Sequence, residues 1–177
     1  MKKLLLLLGF SLLVLSCASV RVNYDYEKAT DFNGYKSYNY YSDMNMGMSE
    51  LDSKRLLDAL DASLHAKGLS LSDSPDFLIN IKSSTYQEAQ RSNMGVGVGG
   101  GGGNVGGGIS IGIPVGQAKV NREIIFEFVD ENKSGLFWQA ISESAYKPNA
   151  KPELKESQFK AVVDKVLLGY PPAPKKK

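Results

Sequence analysis

The run from Val120 to Asp130, centred on Ile124-Ile125-Phe126-Glu127-Phe128, constrains the fold more than any other stretch. It is dense in β-branched and aromatic residues and reads as the strongest strand of the chain. Leu136 to Ala145, which carries Trp138, reads as its hairpin partner. The connection Asp130-Glu131-Asn132-Lys133-Ser134-Gly135 matches the first half of a calcium loop, D-x-N-x-S-G. A calcium loop needs a bidentate Glu at its twelfth position, which here is Ile141, and helices as flanks. The sequence supplies neither, so the connection reads as a plain turn stabilised by Asp, Asn and Gly.

A hairpin of this kind must bury one face, and two helices are placed to cover it. Ser49-Glu50-Leu51-Asp52 resembles a capping box, with Asp52 standing where Glu is usual. The helix it opens runs to about Lys67 and stops at Gly68, with Leu56, Leu57, Leu60 and Leu64 as its buried stripe. His65, the only histidine, lies beside that stripe near the C-terminal end. There a charged imidazole suits the helix terminus, and a structural role is favoured over catalysis. Pro152 opens a second helix. Phe159, Val162, Val163, Val166, Leu167 and Tyr170 form its apolar stripe, and Gly169 with Pro171-Pro172 ends it. Each helix has one apolar face. The expected fold is therefore α+β: a mostly antiparallel sheet of about five strands, with two helices packed on one face. The opposite sheet face would be more polar or would meet a partner.

Three further strands complete the expected sheet. Ser19 to Tyr26 places Val20, Val22, Tyr24 and Tyr26 on one face, with the period of two of a strand. After a turn at Ala29 to Gly34, Tyr35 to Tyr41 forms another strand. Beyond the turn Asp73-Ser74-Pro75, Phe77 to Tyr86 forms a third, with Phe77, Ile79 and Ile81 on one face. Six of the nine tyrosines lie between Tyr24 and Tyr41. They read as cross-strand packing; the alternative is an aromatic surface for sugar rings or a membrane interface. Met44, Met46 and Met48 could bind a soft copper ion, but no neighbouring His or Cys supports that. Packing against the domain is the plainer reading.

Residues 95–116 hold 12 of the 18 glycines. Gly95, Gly97 and Gly100 satisfy G-x-G-x-x-G, a pattern that any run this rich in glycine contains. A dinucleotide loop needs a helix directly after the glycines, whereas Ile109-Ser110-Ile111-Gly112-Ile113-Pro114 follows. Val96 and Val98 enter the run, and Ile109, Ile111 and Ile113 leave it, in strand-like alternation. The stretch reads as a glycine-rich hairpin extension. Its apolar residues are candidate contacts to an envelope protein, lipid or glycan; a connecting loop without specific role is the alternative.

At the N-terminus, Met1-Lys2-Lys3 precedes 12 residues, Leu4 to Leu15, interrupted only by Gly9 and Ser11. A membrane-crossing helix needs about 20 apolar residues, so a secretory signal fits better. Val14-Leu15-Ser16-Cys17 closes the segment and resembles a lipoprotein signal, with Cys17 as the lipidation site. Residues 1–16 would be the signal peptide, 17–170 a single α+β domain with the 95–116 insertion, and 171–177 a Pro/Lys tail. Removal of Lys2 and Lys3 takes the basic side chains from 21 to 19, equal to the 19 acidic ones. A nucleic-acid footprint is not expected. Cys17 is the only cysteine, so no internal disulfide or cysteine metal cluster is possible. With the first strand starting about two residues after Cys17, the domain would sit within roughly 10 Å of the lipid surface.

Several motifs together resemble one family. They are the tyrosine-containing first strand, Asp31-Phe32-Asn33-Gly34-Tyr35-Lys36-Ser37-Tyr38, and Pro75-Asp76-Phe77-Leu78. The glycine-rich insertion, Asp130 to Trp138 and the closing Tyr170-Pro171-Pro172 complete the set. In this order they resemble the bacterial lipoprotein family known as domain of unknown function 4136. The resemblance implies an envelope lipoprotein with an α+β domain, carrying a diacylglycerol thioether and an amide-linked chain on Cys17. It brings no catalytic or ligand residues.

The expected function is a lipid-anchored envelope lipoprotein with a non-enzymatic binding or assembly role, without cofactor or metal. Its place would be the outer membrane facing the periplasm, since no acidic run follows Cys17; cell-surface display is the alternative. A lipid or glycan carrier is a second reading. The third is a hydrolase using carboxylates such as Asp25, Asp31, Asp43 and Glu143, none of which forms a recognisable pair with a base or nucleophile.

Overall fold

A computed structural model of the chain describes residues 19–87, 120–133 and 135–173. The chain enters through strand β1 (Arg21–Tyr26) and a short 3-10 turn at Phe32–Gly34. Strand β2 (Ser37–Tyr40) and helix α1 (Glu50–Ala66) follow. Next come β3 (Ser70–Leu71), β4 (Phe77–Gln87), β5 (Val120–Asp130) and β6 (Gly135–Ala145), and helix α2 (Pro152–Leu167) ends the fold.

The strands form one sheet in the order β1-β6-β5-β4-β2-β3. The α+β class holds, but the sheet has six strands and is mixed, not a mostly antiparallel sheet of about five. β1, β6, β5 and β4 pair antiparallel, whereas β2 runs parallel to both β4 and β3. The cause is α1. A parallel pair needs a long crossover, and the helix carries the chain from the end of β2 back to the start of β3 and β4. β3 spans two exposed residues, too few to show any periodicity. β1 and β2 follow one another in sequence yet lie three strands apart. Between them Phe32 packs on Tyr26, Phe137 and Tyr170, carrying the chain across one end of the core.

Inward residues stay in phase across the four long strands: Ile79, Phe128, Trp138 and Tyr26 line up, as do Ile81, Phe126, Ala140 and Tyr24. A bulge interrupts β6. Phe128 opposes Trp138 and Val129 opposes Leu136, which leaves Phe137 as the extra residue. That inserted residue lets two consecutive aromatics, Phe137 and Trp138, both turn into the core.

Against this face α1 lays Leu56, Leu60 and Leu64, and α2 lays Phe159, Val162, Val163, Val166 and Leu167, all buried. Leu57 is only partly buried and sits at the margin. Ser49 caps α1 by accepting from the Asp52 backbone N–H at 3.3 Å. Gly68 follows its C-cap at φ +86°, a conformation that favours glycine. Gly169 plays another part than the helix stop expected of it. Its φ is not positive, and a Cβ there would run into the ring of Tyr24. The glycine makes room for Tyr24, whose hydroxyl donates to the Lys165 carbonyl at 2.6 Å.

β4 and β5 are antiparallel neighbours with Gln87 opposite Val120. The glycine-rich stretch falls within the connection between them, and the hairpin extension expected at 95–116 lies outside the described residues.

Candidate functional site

The tyrosines do not form an outward aromatic platform. Tyr35 and Tyr38 are buried, and Tyr26 and Tyr40 pack against the core. The hydroxyls of Tyr35, Tyr38 and Tyr40 are committed internally. Tyr38 and Tyr40 both donate to Asp61 on α1, at 2.8 and 2.5 Å, tying β2 to the helix that follows it. Tyr35 donates to Asp130 at 3.0 Å, and burial together with that carboxylate raises its phenol to about 12. Tyr41 donates to Glu131 at 3.1 Å.

The methionine triplet also turns inward. Met46 is buried, Met44 and Met48 pack against the core, and Met44 Sδ accepts the Ile81 backbone N–H at 3.1 Å. Gly47, at φ +65°, brings this loop so close to β4 that a Cβ would lie 2.5 Å from the Ser83 carbonyl oxygen. In the turn after Asp130 the carboxylate is engaged within the protein. Asp130 accepts from the Asn132 backbone N–H at 3.0 Å and from Lys133 Nζ at 3.2 Å, so a lysine ammonium already stands beside the carboxylate. His65 is exposed in the last turn of α1.

The carboxylates weighed for hydrolysis are not brought together. Asp31 caps the 3-10 turn by accepting from Asn33 N–H at 3.0 Å. Asp25 accepts from the Tyr26 N–H at 2.9 Å, and Asp43 lies in the loop after β2. Glu143 pairs with Arg21 at 3.3 Å. Asp25 opposes Gln139, four residues from Glu143 along β6, which places the two roughly 14 Å apart. Among the described residues no group of three or more His, Cys, Asp or Glu side chains could hold a metal ion.

A charged cluster that the sequence reading did not find lies between the helices and the sheet. Asp52 is buried at 1% exposure. Its carboxylate accepts from Arg55 at 3.2 Å and from Arg122, Lys155 and Tyr146 at 3.3 to 3.4 Å. The Arg122 guanidinium lies 3.6 Å from the centroid of the Tyr146 ring. Burial opposes ionisation of Asp52, but Lys155 and Arg122 outweigh it and hold the carboxyl below the usual range. Two signals were available. Asp52 falls on the row of Leu56, Leu60 and Leu64, so it points to the core and does not reach back as a capping box would. Arg122 alternates in phase with Ile124, Phe126 and Phe128.

The sheet's other face carries no described element. Glu127 sits at its centre and accepts from Asn80 at 2.8 Å, Lys82 at 3.1 Å and Gln139 at 3.3 Å. Around it Leu78, Ile125, Val129 and Ile141 are partly exposed. At one side the outer edge of β1 pairs with no described strand. A recess of about 240 Å³ where β1 meets β6 is lined by Asp25, Tyr26, Glu27 and Leu136 to Gln139. On the outer side of the helices a groove of about 610 Å³ runs between α1 and α2, past Ala59, Ala62, Lys160 and Leu168. Between α2 and the sheet a recess of about 20 Å³ lies beside Arg122, too small for an acyl chain.

Cys17 lies outside the described residues, as do Val96, Val98, Ile109, Ile111 and Ile113. β1 begins at Arg21, four positions beyond Cys17, which sets the reach between them at no more than about 14 Å. Among the described residues no helix is long and apolar enough to cross a membrane.

Fold and surface together define a class: an α+β domain with two helices on one side of a mixed sheet and no described element on the other. The chain belongs to the family Domain of unknown function (DUF4136), whose model matches residues 22–172. It is similar in fold to a DUF4136 family protein from Bacteroides thetaiotaomicron, with TM-score 0.52 and 13% identity over 86% of this chain and 96% of that one. It is also similar to a PDZ domain protein from Parabacteroides distasonis, with TM-score 0.54 and 12% identity over 94% of this chain. The chain spans 40% of that protein's length. No curated protein matches the sequence.

Proposed function

We propose that this protein is a lipid-anchored envelope lipoprotein whose domain binds a partner without catalysing a reaction. The observation that carries the reading is the open sheet face. Partly exposed Leu78, Ile125, Val129 and Ile141 surround a polar centre at Glu127, next to a β1 edge that pairs with no described strand. Such a mixture suits a contact surface, and edge strands accept added strands. Val96, Val98, Ile109, Ile111 and Ile113 belong to the segment that joins β4 to β5, and we include them as candidate contacts. The anchor rests on the signal-like segment ending at Cys17, with attachment to the outer membrane facing the periplasm as the proposed location. A carrier role is less well supported, because the space between helices and sheet is filled by side chains.

Photo-crosslinkers at Asn23 and Ile125, and within residues 95–116, test the binding role in cells. Capture of a discrete envelope component at these positions, and not at exposed Asp58 on α1, is expected. Equal background at all positions would sink it. Cys17→Ala tests the anchor separately, since unchanged retention in the membrane fraction would contradict lipidation.

A further inference from the structure

We propose that the recess beside Arg122 holds a single chloride-sized anion. Three cations, Arg55, Arg122 and Lys155, converge on the one carboxylate of Asp52. Glu156 approaches Arg55 Nε at 3.7 Å, but its side chain is 62% exposed. Among the described residues, Arg122 and Lys155 have only Asp52 as an ion-pair partner. A buried charge without its counter-charge is costly, and a guanidinium cannot discard its proton.

The hydrogen bonds show the same excess. Four donors share Asp52, at 3.2 to 3.4 Å, longer than the roughly 2.7–2.9 Å usual for ionic N–H···O contacts. These four donors take up the roughly four acceptor sites of the one carboxylate. Donors are left over: Arg122 Nε and Arg55 Nε are buried without a hydrogen-bond partner. Arg122 itself is only 6% exposed.

The recess of about 20 Å³ is lined by Arg122, one of these two residues. Arg122, Ser144, Tyr146, Lys155 and Gln158 line it and can all donate, while Phe159 closes an apolar side. Its volume matches one small sphere, since a single water needs about 10–15 Å³ of such space. Phosphate, sulfate and carboxylate ligands are too large. A water molecule fits, but it cannot offset the cationic excess; a monovalent anion does both.

Crystals of the full chain soaked in bromide distinguish the two occupants. An anomalous peak within about 3.5 Å of Arg122 Nε is expected. An empty recess, or a peak without anomalous signal, would overturn the proposal. In solution, chloride titrated against gluconate at constant ionic strength should raise the melting temperature of the full chain with saturation. Lys155→Gln, at a side chain 17% exposed, should keep the fold and weaken the half-saturation about tenfold or more. A rise that does not saturate, or that is equal in both proteins, would count against the site.

Discussion

Asp52 and Arg122, 70 positions apart, meet at 3.4 Å with side chains 2% and 7% exposed, pinning the first turn of α1 to the inward face of β5. Removing one partner of a buried pair strands the other, at a cost of about 3–5 kcal/mol. Asp52→Ala should therefore lower the urea midpoint by an amount in that range. The double variant Asp52→Leu, Arg122→Met removes both charges and should recover part of the loss. A double variant less stable than Asp52→Ala would show that Arg122 contributes chiefly through other contacts, such as its stack on Tyr146.

Acid should unfold the protein through three carboxylates. Asp76 is held below the ordinary value of 3.8 by the Lys36 and Ser37 backbone N–H groups. Asp52 and Asp130 are also depressed despite burial, the first by Lys155 and Arg122, the second by Lys133 and Tyr35. Each folded value lies below the unfolded one. The stability they give is complete above that ordinary value and is lost as pH falls through the lower, folded values. The urea midpoint should fall below about pH 4, less steeply in Asp76→Asn. Tyr35 works in the opposite sense. Raised from 10.0 to about 12, it contributes stability below pH 10.0 that is lost as pH climbs toward its folded value. Trp138 fluorescence can follow both limbs, and a flat acid limb would count against the three carboxylates.

Gly169→Ala should destabilise the domain by about 1–3 kcal/mol, the usual cost of overpacking, because the new methyl collides with the Tyr24 ring. Combined with Tyr24→Ala, the same substitution should cost less than the sum of the two. Strict additivity in urea denaturation would mean that the close contact carries no energy.

The open sheet face should be separable from the core by mutation. Ile125→Glu faces solvent beside Glu127 and should change stability by no more than about 1 kcal/mol while reducing crosslinked capture at Asn23. Phe126→Glu, one residue away on the buried side, should unfold the domain. Loss of fold in Ile125→Glu would show that the face is covered.

Local pattern revealed most of the elements. The bounds of β5 were legible as read, and both helices start and stop within about two residues of expectation, because apolar spacing and capping residues are local signals. Placement of strands was not legible. Nothing within Ser37–Tyr40 says that it pairs parallel to β4, since that depends on where α1 delivers the chain. The bulge at Phe137 and the two-residue β3 are likewise set by neighbours. Among polar residues, the turn after Asp130 was readable because the bonds from Asn132 and Lys133 to Asp130 are short-range. The tyrosine hydroxyls were not, as their acceptors lie 21 to 141 positions away. Asp52 was read as a cap because local grammar permits that use, whereas its row on the helix sends it to the core.

The edge position of β1 has a mechanical consequence for a domain held from its N-terminus. Load arriving at Arg21 passes into six residues that, among the described strands, pair with β6 alone, aided by the hook of Tyr24 on Lys165. Such a strand is the domain's fuse: it can peel away pair by pair while the other strands and both helices stay locked around the aromatic core. Peeling bares the β6 edge, so tension would convert one unpaired edge into another. Pulling single molecules from residue 19 should register a small early extension before the main rupture; a single rupture would show that β1 and the core yield together.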